Sequence, residues 1–161
     1  MSLVNTDWLE KNLEEVKVLD ASWHMPNTNR DAHREFLSEH IQNSQFFNLD
    51  KNSELDSTLP HMLPSKNKWQ GLISSYGINN RDKIVIYDNS DVISSCRCWY
   101  MFAYFGHDIN RIFVLDGGLK KWKIDGKKTT NYLGSNNRTS YLPKEIKSLV
   151  LNKLQIDENI K

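Results

Sequence analysis

The sequence predicts an α/β domain in which helices cover a parallel sheet, and residues 83–122 carry that prediction. Three observations meet there. Lys83-Ile-Val-Ile-Tyr-Asp88 is a short β-branched run, an apolar segment of helix length follows over residues 92–105, and a second β-rich run occupies residues 111–115. Strand, helix and strand in that order form a β-α-β crossover, which joins parallel strands and is almost always right-handed. Ligands of such sheets bind outside the carboxyl ends of the strands, where backbone N–H groups point outward. The turn after Asp88 is therefore the first place to look for chemistry.

The other elements follow from capping, periodicity and breakers. Asn5 or Thr6 can cap a first helix to about Leu13, with Asp7 and Glu10 at its positive end and Trp8, Leu9 and Leu13 inward. Val16–Asp20 reads as the first strand, and residues 24–29, with Pro26 inside, as loop. Asn29 or Asp31 starts a charged amphipathic helix to about His40, whose inner side is Ala32, Phe36 and Leu37. Residues 45–48 are a short strand ending near Asp50. Residues 51–66 show no periodicity and contain Pro60 and Pro64, so they form a long loop that is either mobile or working. The prolines restrict the backbone around His61. Residues 69–76 form a helix stopped by Gly77.

The central helix leaves little polar face and is expected to be buried on most sides. Arg97 is its only charge, and a buried guanidinium needs partners. Asp88, Asp116 or strand-end carbonyls are the expected ones, with anion binding as the other use. After Gly126 the chain weakens: residues 131–140 are polar and irregular, residues 144–150 read as a short edge strand, and the end resembles a linker. The expected division is a domain over residues 3–130 and a terminal segment over 131–161 that begins an inter-domain linker.

Composition narrows the function. The 161 residues suffice for one domain with a real core but not for two. With 25% charged residues and a net charge of +1, nothing draws the chain to nucleic acid or an acidic membrane. No apolar run spans a bilayer and no signal-like N-terminus is visible, so a cytoplasmic protein is expected. The chain has 2 cysteines, Cys96 and Cys98. On a helix they point about 200° apart, which excludes a bridge between them. No second pair exists to complete a zinc site, and both read as reduced, packed thiols.

A family resemblance now emerges from short segments in fixed order. They are Leu19-Asp-Ala-Ser-Trp23, Arg30-Asp-Ala-His-Arg-Glu-Phe36, His40-Ile41, Phe46-Phe47 and Pro60-His-Met-Leu-Pro64. Ile84-Val-Ile-Tyr-Asp88, Arg97-Cys-Trp99 with Met101-Phe102, Phe105-Gly-His107 and Leu115-Asp-Gly-Gly-Leu119 with Trp122 complete the set. The chain closely resembles, over nearly its whole length, the N-terminal rhodanese domain of the two-domain thiosulfate and 3-mercaptopyruvate sulfurtransferases.

The resemblance implies a rhodanese-like fold, a five-stranded parallel sheet with helices on both faces. It also implies an enzyme that moves sulfur from thiosulfate or 3-mercaptopyruvate to a thiol or cyanide through a cysteine persulfide, with no cofactor and no metal. That cysteine belongs to a C-terminal rhodanese domain, the implied partner of this chain. There a thiolate sits in a ring of backbone N–H groups at a helix N-terminus, which lowers its pKa. Here the equivalent position is Asp88, which cannot carry a persulfide and whose charge repels anionic donors. Cys96 and Cys98 lie inside the helix rather than in the loop.

By the same resemblance Asp50 and His61 correspond to a supporting relay that acts with a Ser of the C-terminal domain. On spacing alone, the favoured reading is that Asp50 caps a loop and His61 is an exposed loop histidine. Trp23 and Ile93 are implied at the mouth of the substrate cleft. Gln42-Asn43-Ser44 replaces the family's usual Pro-Gly-Ala, His24 stands where an aromatic is common, and the loop after Asp88 is shorter than usual. The competing reading is a non-catalytic rhodanese-like protein-binding module. An arginine-loop phosphatase of the same fold would need a Cys where Asp91 stands, six positions before Arg97.

Overall fold

The computed structural model describes residues 2–160. In chain order the elements are β1 (Ser2–Val4), α1 (Thr6–Asn12), β2 (Val16–Asp20), α2 (Ala32–Ser38), β3 (His40–Ile41), β4 (Ser44–Phe46) and α3 (Lys66–Ser75). They continue with β5 (Lys83–Tyr87), α4 (Ser95–Tyr104), β6 (Ile112–Leu115), α5 (Gly118–Ile124), β7 (Thr129–Thr130) and α6 (Lys153–Asn159). Five strands form one sheet in the order β1-β6-β5-β2-β4. Every pairing in it is parallel. The expected five-stranded parallel α/β sheet is the one observed.

Strand β5 is central, and its alternation divides the core in two. Ile84 and Ile86 face one cluster, with Trp69 and Ile73 of α3 and Met101, Phe102 and Phe105 of α4. Val85 and Tyr87 face the other, with Leu9 of α1 and Leu119 and Trp122 of α5. A period of two sends successive side chains to opposite faces, and a strand covered on both reads as a continuous apolar run. Residues 84–87 are fully buried accordingly.

Several expectations change. Strand β1, on the sheet edge against β6, is a further strand ahead of Val16–Asp20. Three residues are too few to show a period. A two-stranded antiparallel ribbon of β3 and β7 is likewise new. Leu37 is 42% exposed rather than inward, because α2 buries only Phe36. Helix α4 starts at Ser95, so Val92 and Ile93 lie exposed in the preceding loop. Ile93 has φ 51°, which ends any helical run in front of it.

Residues 144–150 are not an edge strand. Lys144 N–H donates to the Phe105 carbonyl (2.9 Å) and Ile146 N–H to the Tyr104 carbonyl (2.8 Å). These are the free carbonyls at the C-terminus of α4, which any capping segment can satisfy. Upstream, Tyr141 is fully buried and its ring lies parallel to that of His107. Residues 139–150 thus strap α3 and α4, and α6 follows behind an Asn152–Gln155 capping box. Among the described residues no helix is long and apolar enough to cross a membrane.

Candidate functional site

The site forms where β2, β4 and β5 release their chains at the carboxyl edge of the sheet. Beyond β2, Ser22 N–H donates to the Asp20 carboxylate (2.8 Å) and turns the chain toward Trp23. Trp23 N–H donates to Ser90 Oγ (2.9 Å) and Ser94 Oγ (3.1 Å), which ties this turn to the loop after β5. Ser94 Oγ in turn donates to the Ala21 carbonyl (2.7 Å). Ser22 Oγ accepts Asn89 N–H (2.8 Å). These serines hold two strand-end loops together and were not singled out from sequence. Their grouping at Ser22, Ser90 and Ser94, just past two strand ends, was the available signal.

Asp88 points back into its own loop. One carboxylate oxygen accepts Ser90 N–H (3.1 Å) and the other accepts Ser95 N–H (2.7 Å) at the start of α4. A carboxylate at this end meets the positive pole of the helix and satisfies a donor that no residue inside the helix can reach. This explains why the helix begins at Ser95. Arg30 clamps the same loop from α2's side, bonding Glu35 through Nε (2.7 Å) and Nη2 (2.6 Å) and the Asn89 carbonyl through Nη2 (3.1 Å). That guanidinium holds the Glu35 carboxyl below its usual range.

Asp50 and His61 come together. Phe47 N–H bonds the Asp20 carbonyl (2.7 Å) at the end of β2, and a turn beyond it closes with Ser53 N–H on the Asp50 carbonyl (3.2 Å). Asp50 Oδ1 lies 2.7 Å from His61 Nε2 and accepts Trp23 Nε1–H at 3.0 Å. The Trp23 and His61 rings meet edge to face, with centroids 5.1 Å apart. Facing a carboxylate, Nε2 carries the proton, so in the neutral ring Nδ1 is the acceptor. Nδ1 makes no hydrogen bond among the described residues.

His61, Trp23, Ile93, Arg97 and Val150 line an open cavity of about 650 Å³. Trp23 and Ile93 both stand on it, and Ile93 is 64% exposed at its rim. The expected partners of Arg97 are replaced. It bonds neither Asp88 nor Asp116; its Nη2 donates to the His61 carbonyl. Both carboxylates sit at the strand-end edge, while the guanidinium reaches into the loop of residues 51–65.

The two thiols have unfavourable surroundings for a thiolate. Cys96 lies beside a second cavity of about 360 Å³ shared with Asp88 and Gly117. Burial and then the negative charge of Asp88 push its pKa up. Cys98 is fully buried in the core, and burial pushes it up much further. No cluster of His, Cys, Asp and Glu able to hold a metal occurs among the described residues.

Asp20, beneath this edge, is nearly inaccessible, and burial raises its pKa from 3.8 to about 6. The folded state then binds more protons than the unfolded chain between those values. Asp20 therefore contributes stability below about pH 4 that is lost as pH rises through about 6, a swing on the order of 3 kcal/mol. Asp20→Asn is expected to remove that dependence and raise stability above pH 7. Urea melts of both proteins from pH 4 to pH 8 check this, since groups common to the two curves cancel in their difference.

Comparison with known proteins adds the family. Residues 5–125 match the model of the rhodanese-like domain. The chain is 43% identical over 126 residues to the mitochondrial thiosulfate/3-mercaptopyruvate sulfurtransferase 1 of Arabidopsis thaliana, covering 77% of this chain and 33% of that protein. It is 39% identical over 129 residues to 3-mercaptopyruvate sulfurtransferase of Rattus norvegicus, covering 75% and 43% respectively. Among solved structures, SseA from Escherichia coli superposes with a TM-score of 0.91 at 25% identity, covering 98% of this chain and 61% of that one. The chain thus spans about a third to under a half of the curated relatives it matches. With a matching family model over most of its length and the same parallel sheet, this chain belongs to the rhodanese-like domain family.

Proposed function

We propose that this chain is the non-nucleophilic half of a two-domain sulfurtransferase that uses thiosulfate or 3-mercaptopyruvate as donor and a thiol or cyanide as acceptor. The observation that carries the reading is the Asp50–His61 pair, 2.7 Å apart, with His61 on the wall of an open cavity. A carboxylate on Nε2 fixes the tautomer and stabilises the imidazolium, which leaves Nδ1 to exchange a proton with a group entering the cavity. In this reading the segment after residue 130 first packs back on the rhodanese-like unit through residues 139–150, with Tyr141 in its core, and only then leads toward a C-terminal rhodanese domain.

The nucleophile is a cysteine thiolate of that C-terminal domain. With 3-mercaptopyruvate it attacks the donor sulfur, the carbon–sulfur bond breaks, and its electron pair leaves on carbon as the enolate of pyruvate. That enolate needs a proton, and His61 with Asp50 delivers one, directly or through a Ser of the partner domain. With thiosulfate the sulfur–sulfur bond breaks and sulfite departs with the electron pair, so no proton is required. Asp88 accepts the loop N–H groups that would otherwise be offered to a thiolate.

Purified alone, the chain is expected to transfer no sulfur to cyanide, and transfer is expected on adding a C-terminal rhodanese domain. The competing reading, a non-catalytic binding module, predicts no transfer in either case. Transfer by the isolated chain that Cys96→Ser abolishes would overturn the proposed roles.

A further inference from the structure

His61 sits in a conformation that its sequence does not favour. Its φ is 54°, in the left-handed region that side chains rarely adopt. The loop of residues 51–65 contains no helix or strand that would impose it. Two ties cross the turn. Glu54 N–H holds the Met62 carbonyl at 2.9 Å, and Arg97 Nη2 holds the carbonyl of His61 itself.

Arg97 reaches that carbonyl at a cost. It leaves the first turn of α4, its Nε is buried without an acceptor, and it forms no ion pair among the described residues. Orphaning a buried donor is unfavourable, and a guanidinium free to choose its acceptors would avoid it. What the side chain secures is one charge-assisted bond, stronger than a neutral one, on the peptide that sets the His61 backbone. In the left-handed conformation the ring meets Asp50 and the edge of Trp23. A return to negative φ would swing the ring away from both.

We propose that Arg97 is a positioning residue for His61: by holding the His61 carbonyl it keeps the backbone left-handed and the imidazole on Asp50. The functional meaning of this inference rests on the proton-relay reading, but its test does not depend on activity. His61 is observed by NMR in the full chain, through backbone couplings that separate positive from negative φ and through nuclear Overhauser contacts between the Trp23 and His61 rings. Arg97→Met keeps an apolar stem and removes the donor, and Arg97→Gln is too short to reach the carbonyl. Both are expected to lose the positive-φ signature and the ring contacts while core resonances persist, and either one suffices if the other fails to fold. Arg97→Lys, which still reaches with a charged donor, is expected to keep them.

A merely structural arginine would lower thermal stability in these variants without moving the His61 signals. Retention of positive φ and the Trp23 contacts in folded Arg97→Met or Arg97→Gln would overturn the proposal, as would their loss in Arg97→Lys. If the signals move as expected while His61→Asn leaves sulfur transfer intact in the two-domain enzyme, the relay reading fails and the positioning role stands.

Discussion

In the proposed two-domain sulfurtransferase, His61→Asn is expected to lower kcat with 3-mercaptopyruvate by about 10²–10⁴-fold, the usual worth of a positioned general acid or base. The effect should depend on the donor. Releasing pyruvate requires protonation of carbon, whereas sulfite leaves thiosulfate as a stable anion. Thiosulfate turnover by the same variant should therefore fall much less. Asp50→Asn should follow the same pattern to a smaller degree, because it removes the charge beside Nε2 and keeps an oxygen acceptor for Trp23 Nε1–H, 3.0 Å away in the native chain. Steady-state rates with both donors check this. An equal loss with the two donors would mean that His61 shapes the cleft and transfers no proton.

Gly118→Ala is expected to be the most damaging small substitution, costing roughly 3–5 kcal/mol in urea unfolding. Gly118 has φ 55°, and a Cβ there would stand 2.2 Å from the Asp88 carbonyl oxygen. That oxygen already accepts Leu119 N–H at 2.9 Å, the bond that seats α5 against the end of β5. Backbone strain and a backbone clash thus fall on the strand end that carries Asp88. Gly126→Ala is the control: its φ of 70° is equally left-handed, but nothing lies within 4 Å of the added carbon. It should cost only about 1 kcal/mol, from strain alone. Similar losses in the two variants would show that the close approach at Gly118 relaxes freely.

What the sequence discloses here tracks the range of the forces involved. Ile84 to Tyr87 announce a doubly covered strand because burial on both faces leaves no polar position. Asp31 and Asn5 cap their helices as their types require. Val92 and Ile93 have helical apolarity, but α4 starts only at Ser95, where Asp88, seven residues back, accepts the first helical N–H and the left-handed Ile93 breaks the run ahead of it. Strand β1 and the strap over α4 escape a sequence reading because each is defined by partners more than thirty residues away. At the site, the residues implied by family resemblance lie together, with Trp23, Asp50 and His61 in mutual contact. The partner of Arg97 was not legible, since a backbone carbonyl leaves no mark on composition or spacing.

Mass spectrometry of the intact chain after incubation with thiosulfate tests most directly whether a carboxylate stands in the sulfur carrier's seat. An unchanged mass is expected, with Cys96 and Cys98 unmodified because burial, and for Cys96 the charge of Asp88, oppose their thiolates. A stable gain of one sulfur atom on either cysteine would contradict it.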